Sequence, residues 1–351
     1  MLKLSGVIWS CFIVAVLVFV VCGSRPASAQ AEKAETPFVW MEAEVPSEAT
    51  GLEPSASGWG KTHLLSEGEL LNIGVKAQEV EERVPETGAV FGYEFQIESA
   101  GRHEIWGRFG MEDVRADFDW RLDGGEWARI NPSKNPTIDL YEFNRWNSVG
   151  WLKLATSELE AGKHKLEIRL PRTYSEDKKG NKKPNRILFM ADAFCIYNGT
   201  WRPNGAHKPD ADYQTEADKA AAKHVFQMPD PAADGERTVM SLHGAWQYAR
   251  FDETGFIEDP YGPVPPPPAP ETLYWHAFEV PGDRNAQMPD MFHCHRYFLR
   301  ARVDVPAGYN GKQMLLDFDE TNFITTVYVN GKQMGFSDLV ASPLKVDITS
   351  A

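Results

Sequence analysis

The strict alternation of apolar and polar residues along short segments constrains this chain more than any other feature. Phe91, Tyr93, Phe95 and Ile97 alternate with Gly92, Glu94, Gln96 and Glu98. Successive side chains of an extended strand point to opposite faces, so this spacing gives one apolar face and one wet face. Ala100-Gly101 turns the chain into a second candidate strand, His103–Phe109. Phe118, Trp120 and Leu122 then alternate with Asp117, Asp119 and Arg121, and Asp123-Gly124-Gly125 supplies a hairpin signal. His164, Leu166, Ile168 and Leu170 form another apolar face opposite Lys163, Lys165, Glu167 and Arg169. Ile187–Tyr197 is a mainly apolar closing strand with a single acid, Asp192. Short strands broken by turns, with no long helical period, predict a β-sandwich over residues 38–197.

The same period returns near the end. Met314, Leu316 and Phe318 alternate with Leu315, Asp317 and Asp319, and the β-branched run Thr325–Val329 leads into Asn330-Gly331. That dipeptide accepts positive φ at both central positions of a type I′ turn, so a hairpin is expected, with Lys332–Phe336 returning. A Pro-marked loop then leads to Leu344–Ile348. Between the two β regions, Asn198–Asp212 is marked by Gly and Pro. Thr215–Gln227 reads as a short helix, because Thr215 and Asp218 approximate a capping box and Ala217–Lys223 is a run of good helix formers. Pro229–Gly235 breaks the chain again, and Pro263–Pro270 must be an extended loop. The fold class is therefore all-β, with two β-sandwiches in tandem. They cover residues 38–197 and 236–351, joined by a linker over 198–235 that carries the helix.

Residues 1–29 read as a signal peptide. Lys3 gives a positive start, Val7–Val21 an apolar core, and Ala27-Ser28-Ala29 a small-x-small cleavage site that would leave Gln30 first. The apolar run is shorter than a membrane span needs. The alternative is an uncleaved anchor, which would be the chain's one contact with a membrane. Export to the periplasm or the exterior follows from cleavage. Beyond the leader only Cys195 and Cys294 remain, one in each proposed domain, so no disulfide framework follows. The net charge is −14. Removing a leader with Lys3, Arg25 and no acid makes it more negative still, which disfavours nucleic acid and anionic membranes and leaves neutral glycans as easier partners.

Specific motifs add to this reading. The first domain opens Trp40-Met41-Glu42-Ala43-Glu44, continues G-R-H-E-I-W-G-R, W-L-K-L and A-G-K-H-K-L-E-I, and closes A-D-A-F. In this order the motifs are similar to the carbohydrate-binding modules of families six and thirty-five, which are jelly-roll sandwiches. The second domain opens S-L-H-G-A-W-Q-Y, passes W-H-A-F-E-V-P and V-Y-V-N-G-K, and closes S-P-L-K-V-D-I-T. It resembles the N-terminal sugar-binding jelly roll of family-two glycoside hydrolases, the β-galactosidases, β-glucuronidases and β-mannosidases. It departs from them at Leu339-Val340-Ala341, where the family has a Gly-rich loop. In that family the chain continues into a further strand, an immunoglobulin-like domain and a catalytic barrel. The resemblance thus implies that the second domain is incomplete at its C-terminal side and that the barrel, about 250 residues by itself, is lacking. The family's acid/base Glu follows an Asn, and no Asn-Glu dipeptide occurs. No glycosidase activity is expected of these 351 residues alone.

Candidate site residues follow. Pro132–Gly150 shows no strand alternation and reads as a loop carrying Tyr141, Trp146 and Asn147. Sugar rings stack their C–H faces on aromatic rings while their hydroxyls need polar neighbours, and loops are where such sites sit. The competing reading is that Trp146 or Trp151 plugs the end of the sandwich. Asn285, in P-G-D-R-N-A-Q, is either a turn residue or, as the family-two resemblance implies, a loop residue that reaches toward a sugar; Asp338 is a weaker case of the same kind. Glu42 and Glu44 stand two apart on an expected strand, so their carboxylates share a face. The resemblance to the binding modules implies that Glu42, Glu44 and Asp192 hold a structural calcium ion. Solvated acids, or pairing with Lys or Arg, are the alternatives. His293-Cys294-His295 lacks a third or fourth ligand at suitable spacing, and no G-x-S-x-G occurs. The function expected is carbohydrate binding, as the non-catalytic front portion of an exported family-two glycoside hydrolase. A stand-alone exported lectin or surface scaffold is the alternative.

Overall fold

The structure, a computed structural model, describes residues 14–21, 38–112, 116–132, 134–135, 137–233, 236–251, 273–291, 294, 296–321 and 324–351. The chain divides into Ala31–Asp212 and a second unit that combines Tyr213–Ala351 with Met1–Gln30. Both are β-structures with few short helices, as the alternation requires; the first unit's sheets are antiparallel, and the second unit's main sheet is mixed. No helix among the described residues is long and apolar enough to cross a membrane.

In the first unit, one sheet runs Ile138–Asn144, Asn147–Leu159, Gly101–Glu112, Ile187–Asn198, Leu70–Val75 and Ala56–Ser57, with Phe38–Glu42 also paired to Ile187–Asn198. The other runs Glu48–Thr50, Ala89–Ile97, Gly162–Leu170, Phe118–Leu122 and Ala128–Ile130. Their facing sides form the core. Phe109 meets Phe118 at 4.6 Å between ring centres, Tyr93 meets Phe194 at 4.7 Å, and Phe118 meets Phe189 at 5.4 Å. The Tyr93 hydroxyl donates to the Ala43 carbonyl at 2.6 Å, so this large ring keeps its polar tip satisfied while buried.

The segment Pro132–Gly150 is not a loop. It holds the strand Ile138–Asn144 and the start of Asn147–Leu159, joined by a tight turn. Tyr141 and Phe143 are buried and alternate with half-buried Glu142 and Asn144, but the register shifts between Ile138 and Tyr141. Such a bulge inserts an extra residue and breaks the period of two on which a sequence reading depends. The expected strand through Glu44 also ends early: Phe38–Glu42 is extended, and Glu44 lies in the turn that follows.

The stretch read as a linker divides at Asp212. On the near side, the Trp201 amide donates to Glu104, the Gly205 amide to Asp139, and the Trp151 indole to the Gly205 carbonyl at 2.8 Å. These bonds tie Trp201–Gly205 to the first unit. On the far side, Thr215 caps the helix Glu216–Lys223 with the full reciprocal capping box to Asp218. Such a cap contributes about 0.5–2 kcal/mol. The helix stops at Lys223 rather than Gln227, because Phe226 is buried and pairs as a strand with Val303.

The second unit's main sheet runs His276–Val280, Gly244–Arg250, Arg296–Asp304, Val14–Val21, Ile324–Val329 and Lys332–Ser337. Val14–Val21 belongs to the segment read as a leader. Leu315–Thr321 pairs with Ser342–Asp347 as a separate ladder. Asn330 at φ 51 and Gly331 at φ 81 form the expected hairpin turn. His293, His295 and Pro263–Pro270 lie outside the described residues.

Candidate sugar-binding edge and acidic pair

The first unit presents an exposed aromatic edge at the turn between Ile138–Asn144 and Asn147–Leu159. Asn144 pairs with Asn147, so Arg145 and Trp146 form the tip. Trp146 is 58% exposed and has φ 66, the left-handed region that a bulky side chain rarely occupies. Polar side chains hold the turn: the Arg145 amide donates to Asn144 Oδ1 at 2.9 Å, and Asn147 Nδ2 donates to the Arg145 carbonyl at 3.1 Å. The Arg145 guanidinium lies 5.5 Å from the Trp146 ring centre. A second, half-buried indole adjoins this strand end. Trp59 packs edge-on against Phe143 at 5.3 Å, and the Lys61 amide donates to the Phe143 carbonyl at 2.6 Å. Gly60 makes this approach possible, since a Cβ there would fall 2.3 Å from the Phe143 carbonyl oxygen. Sequence reasoning passed over Trp59. Its setting, Gly58-Trp59-Gly60, was the available signal of an aromatic on a loop.

Tyr141 does not join that edge. It is 6% exposed, and the Arg108 guanidinium lies 5.8 Å from its ring. It belongs to the side of the seven-stranded sheet that faces away from the core. There Trp106 and Trp151 pack with Trp201, while Trp40 and Tyr197 are partly buried against them. Trp201 meets Trp151 edge-on at 4.8 Å and Trp106 at 5.9 Å. Charge is buried here too. Glu104 accepts from the Trp106 indole at 3.1 Å and from the Trp201 amide at 3.0 Å, and pairs with Lys153. Fully buried Arg108 donates to Asp192 at 2.6 Å and to the Leu64 carbonyl at 2.7 Å. Asn285 stands in the second unit, exposed on the short helix Arg284–Gln287 that Asp283 caps through the Ala286 amide.

The three acids proposed for a metal have unequal settings. Asp192 is saturated: one oxygen accepts from Arg108 and the other from the Ser66 amide at 3.0 Å. Burial nonetheless pushes its carboxyl up to about 6, with Arg108 opposing. Glu42 accepts from the Trp40 indole at 3.0 Å through Oε1, but its Oε2 is buried without a partner, and so is Oε2 of Glu44. Burial raises Glu44 to about 7, and the nearby charges of Glu42, Asp192 and Glu69 add to the rise. Two buried acceptors with nothing to accept from is an arrangement that a cation would stabilise. Among the described residues, however, no three Asp, Glu, His or Cys side chains group closely enough to hold a metal by themselves. An ion here would draw on Glu42 and Glu44 first, with backbone or water oxygens completing its shell.

No known protein family and no curated protein matches the chain. Among solved structures it is similar to the C-terminal CBM6 of LamC, a laminarinase from Zobellia galactanivorans, at 14% identity and a TM-score of 0.29, over 46% of this chain and 100% of that one. It is similar to the carbohydrate-binding module CBM6cm-2 of Cellvibrio mixtus lichenase 5A, solved with cellotriose, at 15% identity and a TM-score of 0.27, over 46% of this chain and 98% of that one. A GH26-CBM35 β-(1,4)-mannanase from Podospora anserina matches at 14% identity and a TM-score of 0.30, over 55% of this chain but 37% of its own length. Scores this low fix neither a ligand nor an activity. What the chain is similar to in each case is a protein that is, or carries, a carbohydrate-binding module.

Proposed function

We propose that the chain binds carbohydrate, as the non-catalytic front portion of an exported family-two glycoside hydrolase. The observation that carries the binding part is Trp146, an indole held outward on a left-handed backbone at the tip of a turn. Strained positions persist where surrounding bonds over-determine them and cluster at ligand sites. The exposed ring offers a face for the C–H side of a neutral or uronic sugar. Arg145 and Asn147 offer donors and acceptors to its hydroxyls, and Trp59 flanks the strand end. The family-two assignment rests on the second unit's motifs and is supported by the hairpin at Asn330-Gly331. Asn285 is an accessory sugar contact in this reading. The leader, residues 1–29, directs export.

The same proposal includes a structural calcium ion. Glu42 and Glu44 would hold it through their unpartnered oxygens, with Asp192 contributing charge from beside Arg108. Its role would be to lock the end of Phe38–Glu42 against Ile187–Asn198 and so steady the sandwich, not to take part in a reaction.

The binding proposal is tested with the chain beginning at Gln30 on a glycan array, followed by titration of the best oligosaccharide. Trp146→Ala should weaken binding about tenfold or more, the scale of a lost ring contact, with an unchanged circular dichroism spectrum. Equal binding by Trp146→Ala would place the site elsewhere.

A further inference from the structure

The hairpin that joins Gly162–Leu170 to Ile187–Asn198 belongs to neither sheet of the first unit. Its strands, Tyr174–Glu176 and Lys182–Pro184, pair only with each other. Residues 172–186 carry six Lys and Arg against two acids, a net of +4, in a chain of net charge −14. Lys178, Lys179, Lys182, Lys183 and Arg186 are exposed. Like charges this close repel, and a loose loop would let them spread. This hairpin holds them in place instead. At its tip Asp177 accepts from the amides of Lys179 and Asn181 at 2.8 and 3.0 Å and from Asn181 Nδ2 at 3.1 Å. At its base Arg172 donates to the carbonyls of Val84 and Glu81 at 2.7 and 2.8 Å, and Asn185 Nδ2 donates to Thr173 Oγ1 at 3.1 Å. Among the described residues, the five exposed cations make one ion pair, Lys183 with Asp177 at 3.4 Å. An anionic ligand would relieve the repulsion that the chain leaves in place.

The hairpin leaves the sandwich at the Trp146 end. Glu112 pairs with Asn147 on one side of the strand Gly101–Glu112, and Phe109 pairs with Ala191 on the other. Carried three residues on, the second register puts Glu112 level with Leu188. Trp146 and Ile187, each one residue further out, therefore stand at one height, two strand spacings or about 10 Å apart. The exposed indole, Arg145 and the basic hairpin thus share one end of the sandwich, within reach of one oligosaccharide. The chain's overall negative charge does not forbid an anion here, because exposed charges further off than about 10 Å are screened at 0.1 M salt.

Four of the five cations are lysines. Planar carboxylates are matched best by the fork of an arginine, whereas an ammonium is a compact point charge. A sulfate ester is tetrahedral, offers several oxygens and stays ionised at every ordinary pH, so ammonium groups can meet it from many directions. We propose that this end of the first unit binds a sulfated polysaccharide: the Trp146 ring stacks on one sugar, and the lysines of the hairpin receive sulfate esters further along the same glycan. This rests on the reading of Trp146 as a sugar contact and adds the charge class of the ligand.

The full chain is titrated with a sulfated galactan, a sulfated fucan and heparin, each beside its desulfated counterpart, and with polygalacturonate. At least one sulfated glycan should bind roughly tenfold or more tighter than its desulfated form at 0.1 M salt, and the ratio should approach one at 1 M, where screening acts within about 3 Å. Replacing Lys178, Lys179 and Lys182 together by Gln should remove the preference but leave melting and the affinity for the desulfated glycan unchanged. Replacing the same three by Arg should keep it. Trp146→Ala should weaken both forms of the glycan alike. A wild type that binds no sulfated glycan, or binds both forms equally, overturns the proposal. So does a preference that survives the triple Gln variant, or polygalacturonate bound as tightly as the sulfated glycan. Phosphatidylserine vesicles bound as tightly, through the same lysines, would assign the hairpin to a membrane surface and overturn it as well. A sulfate preference that needs the lysines but survives Trp146→Ala at full affinity would sink the Trp146 reading and leave the hairpin as the sulfate site.

Discussion

The first unit buries both members of one arginine–carboxylate pair and only the carboxylate of another. Arg108 and Asp192 have side chains 0% exposed. Arg121 and Glu167, on the five-stranded sheet, make a two-pronged contact at 2.5 and 2.9 Å, yet Arg121 stays 27% exposed. The tryptophans divide the same way. Trp151 is fully buried under Trp201, whereas Trp146, five residues earlier, is 58% exposed. Cover comes from the Trp201–Gly205 segment lying on the seven-stranded sheet. What lies beneath it has become core, and what escapes it is free to meet a ligand.

If cover decides, the buried pair should dominate stability. Arg108→Ala leaves the Asp192 carboxylate buried and unpaired, a loss of about 3–5 kcal/mol. Arg121→Ala leaves Glu167, whose side chain is only 7% exposed, with Lys165 3.9 Å away as a remaining cationic neighbour, and should cost less, about 1–3 kcal/mol. Amide exchange on Gly101–Glu112 reports both in the same unit. Equal costs would break the comparison.

The proposed calcium ion offers the next largest effect, because the two acids that would hold it first, Glu42 and Glu44, are only half-buried. Glu44 titrates near 7 and Asp192 near 6, above their ordinary 4.5 and 3.8. With folded values raised, the folded state binds more protons than the unfolded one across that interval. In chelator, stability should therefore be highest at low pH and decline as pH rises through about 7. Calcium needs the ionised carboxylates, so its benefit should grow over the same range and approach about 2.7 kcal/mol at a hundredfold excess over Kd. Melting from pH 5 to 8, with chelator or calcium, reads both trends, and Glu44→Gln should flatten them. A calcium increment independent of pH would argue for an ion bound elsewhere.

Much of this was legible in the chain. Alternation at Phe91–Ile97 and Leu166–Leu170, the Asn330-Gly331 turn and the Thr215 cap are local signals, and local signals survive folding unchanged. The strand at Ile138–Asn144 was hidden by a bulge, which destroys the period without destroying the strand. Arg108 and Asp192 were hidden for another reason. They are 84 residues apart, and nothing in either neighbourhood marks an acid that will be paired with an arginine. Exposure was equally invisible: Tyr141 and Trp146 looked alike in sequence, and only the position of the Trp201–Gly205 segment separates them.

The smallest effect gives the sharpest contrast between the two tryptophans. Trp151→Ala should empty a closed site and cost about 3–5 kcal/mol. Trp146 should behave in the opposite way when replaced by glycine. Its φ of 66 costs an L-residue roughly 1–2 kcal/mol, a penalty glycine escapes. The ring gives up little packing in return, because more than half of it already faces water. Trp146→Gly should therefore leave stability unchanged or raise it by up to about 1 kcal/mol, while abolishing oligosaccharide binding. The pairing matters more than either value alone. A variant that folds as well or better and no longer binds identifies a residue kept for its ligand. If Trp146→Gly instead loses stability on the scale of Trp151→Ala, the exposed indole is part of the sandwich's closure, and the sugar must be sought at another surface.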